Sequence, residues 1–181
     1  ILAIVMMVPA AVDVFADNPD WQVFAVAGGV TLFIGVSLSL TSRAGGTKLS
    51  VRQAFILTTL SWIVLTIFAA LPFTFSQLEL TFTDALFEAM SGITTTGATV
   101  IVDLDQAPPG LLLWRSLLQW FGGIGIIVMA LAVLPLLRVG GMQLFHMESS
   151  DQSDKALPRT AQIAAAIGII YLALTVILAG A

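Results

Sequence analysis

The stretch MSGITTTGATVI, residues 90–101, sets three threonines and a glycine in a row inside a chain that is otherwise strongly apolar. On its N-terminal side Gln53–Phe75 carries no charge, and on its C-terminal side Leu111–Leu137 carries only Arg115. Both runs exceed the roughly 20 apolar residues that cross a bilayer. The fold therefore turns on what the chain does between them, from Ser76 to Gly110.

The part of that interval before the threonines, TFTDALFEAM, reads as a helix too short to span. Thr81 can cap it with Asp84 three residues on, the capping-box spacing, and DALFEAM is rich in helix formers. A pore helix over about 82–91, stopping at Ser91-Gly92, gives a length of about 15 Å, half of a bilayer core. The chain is then expected to turn at Gly92 and return through ITTTGATVIVDLDQAPPG, which has no helical period and is closed by Pro108-Pro109. Extended backbone at membrane depth leaves carbonyl groups without partners, a condition tolerated where the segment is buried in protein or lines a watery path. Successive carbonyls from a Thr-x-Gly stretch can replace the hydration shell of a monovalent cation. Gly97 admits dihedrals that point neighbouring carbonyls the same way, and the C-terminal end of the short helix adds partial negative charge.

Composition agrees with a membrane protein. Of 181 residues 58% are hydrophobic and 10% charged, against about 25% charged in soluble domains, and the mean hydropathy is +1.01. Five apolar segments emerge, at 1–16, 21–40, 53–75, 111–137 and 161–181, all read as helices because a lone segment in hydrocarbon must satisfy its own backbone. The fold class is all-α and polytopic. Cysteine is absent, which excludes disulfides and thiolate metal sites. Residues 1–16 lack a basic leader and are interrupted by Pro9 and Asp13, so they do not read as a signal peptide. A chain that starts at Ile1 and ends inside an apolar run is expected to be a piece of a longer protein.

Charge orients the segments. Arg43, Lys48 and Arg52 follow the second, and Arg138, Lys155 and Arg159 follow the fourth, which assigns both links and the N-terminus to the cytoplasmic side. The opposite side receives Asp17, Asp20, Glu79, Asp84, Glu88, Asp103 and Asp105, an electronegative mouth that would concentrate cations. Trp21, Trp114 and Trp120 fall near outer helix ends, where indoles favour the interface.

ALFEAMSGITTTGATV, residues 85–100, followed by WRSLLQWFGGIGIIVMALAVLPLLRVGGMQLFHMESS, residues 114–150, resembles the first helix–pore loop–helix repeat of the Trk/Ktr/HKT potassium-uptake superfamily. The likeness covers about residues 53–160. Two helices ahead of the repeat make the chain more similar to the TrkH-type bacterial subunits than to the Ktr type. The resemblance implies four such repeats around one pore, of which this chain holds one: two extra helices in 1–52, a repeat in 53–137, a cytoplasmic link in 138–160, and the start of a second repeat in 161–181. It implies a filter at Thr95, Thr96, Gly97, Ala98 and Thr99, with potassium held at Thr95 and Thr96. Ala98 and Thr99 stand where potassium channels have tyrosine and glycine, a less constrained filter. It further implies a bacterial cytoplasmic membrane, pairing into a homodimer, a cytosolic nucleotide-binding regulatory subunit, no nucleic-acid partner, and no cofactor beyond potassium as the transported substrate.

The remaining residues carry paired readings. Arg115 braces the pore helix through Glu88 or Asp84, or else snorkels to headgroups; Gly92 supports the filter at the turn. Gly122, Gly123 and Gly125 allow a bend or close approach to the loop, or else small-residue helix packing. Asp13 is an intramembrane acid open to proton coupling, though its place near the outer end favours the interface. His146, the single histidine, belongs on the cytoplasmic face and cannot assemble a metal site or triad; no enzyme chemistry is expected. Two other functions stay open: a transporter that also passes sodium, and a non-conducting scaffold or receptor subunit with a re-entrant loop.

Overall fold

The computed structural model describes residues 1–41, 51–137 and 156–179. Among them every regular element is helical. The expectations that rest on Arg43, Lys48, Arg138, His146, Lys155 and the Val139-Gly140-Gly141 stretch lie outside the described residues.

Among the described residues seven α-helices follow in order: α1 (Leu2–Val5), α2 (Met7–Phe15), α3 (Trp21–Thr41), α4 (Val51–Phe75), α5 (Phe82–Ile93), α6 (Pro109–Leu137) and α7 (Ala156–Ala179). Three are long and apolar enough to cross a membrane, within Trp21–Thr41, Phe55–Phe75 and Pro109–Ile127. The first apolar segment, expected over 1–16, is helical over Leu2–Val5 and Met7–Phe15, with a turn at Met6 between them. The last helix starts at Ala156 rather than 161, so the end of the expected cytoplasmic link is already helical.

The chain forms two compact units, Ile1–Gly123 and Ile124–Ala181. In the first, Met6, Ala10, Phe24, Ala27, Ala69, Ala70, Phe73, Ala85, Ala89, Leu111, Trp114 and Leu118 make one buried cluster. Alanines dominate where α4 meets α5, as expected where helices associate by close backbone approach rather than by expelling water. Outside the cluster α3 and α4 remain apolar, with Phe33, Leu38, Ile56 and Leu60 exposed, the surface a lipid-facing helix requires. In the second unit α7 likewise exposes Ile169, Leu172 and Val176, and Thr175 donates to the Tyr171 carbonyl at 2.8 Å.

Trp114, expected near an outer helix end, is enclosed by protein. Its ring is fully buried, edge-on to Phe24 at 6.1 Å, and its indole N–H donates to the Ala69 carbonyl at 3.0 Å. A buried indole needs an acceptor for its one polar group, and α4 supplies it.

Candidate functional site

The half-length helix forms as its sequence dictates. Thr81 is extended at the N-cap, its hydroxyl accepts the Asp84 N–H, and it donates in turn to the Asp84 carboxylate at 2.7 Å. The helix runs two residues beyond the expected stop, to Ile93, with Thr94 as its C-cap. The reversal therefore does not fall at Gly92. It falls at Thr95, left-handed at φ 59°, and at Gly97, with φ 76°. Gly92 serves packing instead: it is buried, and a Cβ there would stand 3.0 Å from the Leu118 Cβ. A threonine in the left-handed region is uncommon and costly, and four hydrogen bonds hold this turn in place. The Thr94 N–H donates to Met90 O, Thr95 N–H to Gly92 O, and both Thr96 and Gly97 N–H to Ser91 O, at 2.9, 2.9, 2.9 and 3.3 Å. The orphan carbonyls of the helix end are thus closed by the strand that leaves it.

Residues 95–100 are all exposed, yet three groups on the buried side of the strand are bound to α5. The Ser91 hydroxyl donates to the Ala98 carbonyl at 2.6 Å. Glu88 Oε1 accepts the Thr99 hydroxyl at 2.6 Å and the Val100 N–H at 2.6 Å, and Thr99 Oγ1 in turn accepts the Ile101 N–H at 3.1 Å. Among the described residues the carbonyls of Thr95, Thr96, Gly97 and Thr99 accept no hydrogen bond. The Thr94 and Thr96 hydroxyls lie 2.9 Å apart.

Behind the strand, Arg115 Nε donates to Glu88 Oε2 at 2.8 Å, with the carboxylate fully buried and the guanidinium side chain 11% exposed. Of the two carboxylates the sequence offered, Glu88 takes the role, and Asp84 is kept by its cap. Glu88 is accordingly a buried support rather than part of an acidic mouth. Asp20 also leaves that group: it is buried and accepts the Gln77 N–H, and burial pushes its carboxyl above the ordinary range against the pull of that bond.

The glycines of α6 divide. The helix continues unbroken through Gly122, Gly123 and Gly125. Gly122 is buried, and a Cβ on it would overlap the Ile93 carbonyl; the close approach of α6 to the loop is met at this position. Gly123 and Gly125 are half-buried.

Two features escape a sequence reading. Ser91 lies three residues after Glu88, a spacing that puts both on one face of α5, and that shared face was the available signal. Asp13, expected at the interface, is buried; its Oδ1 accepts the Gly110 N–H at the start of α6 at 2.7 Å, and its Oδ2 has no hydrogen-bond partner among the described residues. No local pattern announces a contact across 97 residues.

Bilayer-length apolar helices, with a short helix and a tethered extended strand between two of them, define an all-helical, multi-pass membrane protein. The chain belongs to the TrkH family of cation transport proteins, whose model matches residues 21–181, a family of transporters rather than enzymes. It is 44% identical over 179 residues to the Trk system potassium uptake protein TrkI of Halomonas elongata, covering 99% of this chain and 36% of that protein. It is 44% identical over 174 residues to the Trk system potassium uptake protein TrkH of Escherichia coli strain K12, covering 94% and 36%. To TrkG of the same strain it is 40% identical over 169 residues, covering 92% and 35%. The chain thus spans just over a third of the length of these relatives.

Proposed function

We propose that this chain supplies one quarter of a potassium-conducting pore, with Thr95, Thr96, Gly97, Ala98 and Thr99 as its strand of the selectivity filter. One observation carries this: an exposed strand has the N–H groups of Thr95, Thr96, Gly97 and Val100 and the Thr99 hydroxyl tied back to a half-length helix, while among the described residues the carbonyls of Thr95, Thr96 and Gly97 accept nothing. Such oxygens suit a dehydrated alkali cation, for which coordination by carbonyls replaces water. The C-terminal end of α5 points partial negative charge into the same region. Potassium is the ion in the printed names of the relatives, and here it is substrate rather than cofactor.

On this basis residues 53–137 form a helix–pore loop–helix repeat preceded by two helices in 1–52, and α7 opens a second repeat. Basic residues in the links after α3 and α6 favour a cytoplasmic N-terminus in a bacterial inner membrane. Pairing into a homodimer and docking of a nucleotide-binding subunit on the 138–160 link belong to the same proposal.

The test is Gly97→Asp in the full-length protein, in cells without other potassium uptake. A side chain at a left-handed position facing the ion path should abolish rubidium uptake or change the preference between potassium and sodium. Wild-type uptake with unchanged preference would refute the filter assignment.

A further inference from the structure

Hydroxyl side chains inside helices commonly donate to the carbonyl four residues back, and this chain follows the habit at Thr31, Ser61, Thr66, Thr74, Thr94 and Ser116. Ser91 departs from it. Its hydroxyl proton goes out of the helix to the Ala98 carbonyl at 2.6 Å, while its own carbonyl accepts Thr96 and Gly97 N–H. Ser91 is only 5% exposed, so the donor end of the bond is held inside the protein. One residue of α5 therefore grips the strand on both sides of the Gly97–Ala98 peptide, by an amide before it and a carbonyl after it.

We infer that Ser91 is a specificity-setting positioning residue, whose hydroxyl turns the Ala98 carbonyl back onto α5 and so breaks the run of unpaired carbonyls between Gly97 and Thr99. The inference rests on the filter assignment proposed above and adds to it the number of oxygens this quarter offers. A carbonyl engaged with a buried hydroxyl has to break that bond before it can turn toward an ion, so the outer level of the pore receives one oxygen fewer from this side. Selectivity in a carbonyl filter depends on how many oxygens surround the ion and how firmly they are held; Ser91 sets both at position 98. The adjoining residue is secured separately, by Glu88 on Thr99 and Val100, so loss of the serine hydroxyl releases one carbonyl and leaves the strand attached.

Ser91→Ala in the full-length transporter tests this, with rubidium uptake measured against potassium and sodium. The KM for potassium is expected to rise and discrimination against sodium to fall, each by about fivefold for one neutral hydrogen bond, with maximal rate per folded protein close to wild type. Ser91→Thr, which restores a hydroxyl, should return both values toward wild type. If the alanine variant fails to reach the membrane, Ser91→Cys, a size-matched weaker donor, is read in its place with a smaller shift in the same direction. Unchanged KM and ion preference in the alanine variant, or in the cysteine variant where it is the one read, would overturn the role of Ser91. Gly97→Asp assayed in parallel separates the two failures: normal transport there removes the filter assignment itself, whereas a defect there beside an unaffected Ser91→Ala removes only the inference about serine.

Discussion

Glu88 of α5 and Arg115 of α6 meet at 2.8 Å with the carboxylate fully buried, and the other oxygen of that carboxylate bears the Thr99 hydroxyl and the Val100 N–H. The pair is thus a bracket that fastens the strand to two helices. Its partners are unequal, since Glu88 holds three donors and the described bond of Arg115 is one.

Removing either side of a buried pair costs about 3–5 kcal/mol, because the survivor is left uncompensated. Glu88→Ala is expected at the upper end, with loss of transport, since the strand loses its acceptor as well. Arg115→Gln should be milder and should keep more uptake. Thermal unfolding of the full-length protein in detergent, beside rubidium flux, checks the order. Arg115→Gln without effect on either would eliminate the brace.

The two glycines that let α5 and α6 approach should differ in sensitivity. A Cβ at Gly122 would overlap the Ile93 carbonyl, whereas one at Gly92 meets the Leu118 side chain at 3.0 Å. Backbone cannot yield as a leucine can, so Gly122→Ala should destabilise by roughly 1–3 kcal/mol as overpacking, and Gly92→Ala by less. Melting temperatures decide it, and the reverse order would show the packing assignment to be wrong.

Asp13 and Gly110 form a coupled pair. Asp13→Ala leaves a buried N–H without its acceptor, a loss of about 1–3 kcal/mol. Gly110→Ala forces a methyl into the carboxylate. Once the carboxylate is gone the methyl has room, so the double variant should be little worse than Asp13→Ala alone, a non-additivity that a double-mutant cycle measures. Simple addition of the two losses would argue against the contact.

Asp20 makes stability depend on pH. Burial raises its carboxyl above the ordinary range, so the folded chain keeps this proton better than the unfolded chain does. The increment of stability is fully present below the ordinary carboxylate value and is lost as pH rises through the raised folded value. Asp20→Asn should flatten the fall in melting temperature as pH rises above the ordinary carboxylate value. A variant with the wild-type slope would show that another group is responsible.

Sequence periodicity and local chemistry made much of this legible. The Thr81–Asp84 cap, the half-length helix, the positive φ of Gly97 and the Glu88–Arg115 pair all follow from residue types at short spacing or from the need of a half-buried cation for a carboxylate. What stayed hidden depends on packing between distant elements. The sequence points to a turn at Gly92, but the reversal falls at the left-handed Thr95, held there by the amides of Thr96 and Gly97 on Ser91. The partners of Trp114 and Asp13, Ala69 and Gly110, become neighbours only once the helices assemble, so position near a helix end gives no sign of them.

The shape of residues 94–100 is settled by groups at 88–92, a span shorter than two turns of helix. Residues 82–100 therefore behave as a portable cassette: grafted into a related backbone that keeps an arginine opposite Glu88 and a small residue opposite Ile93, they should carry their own conformation with them.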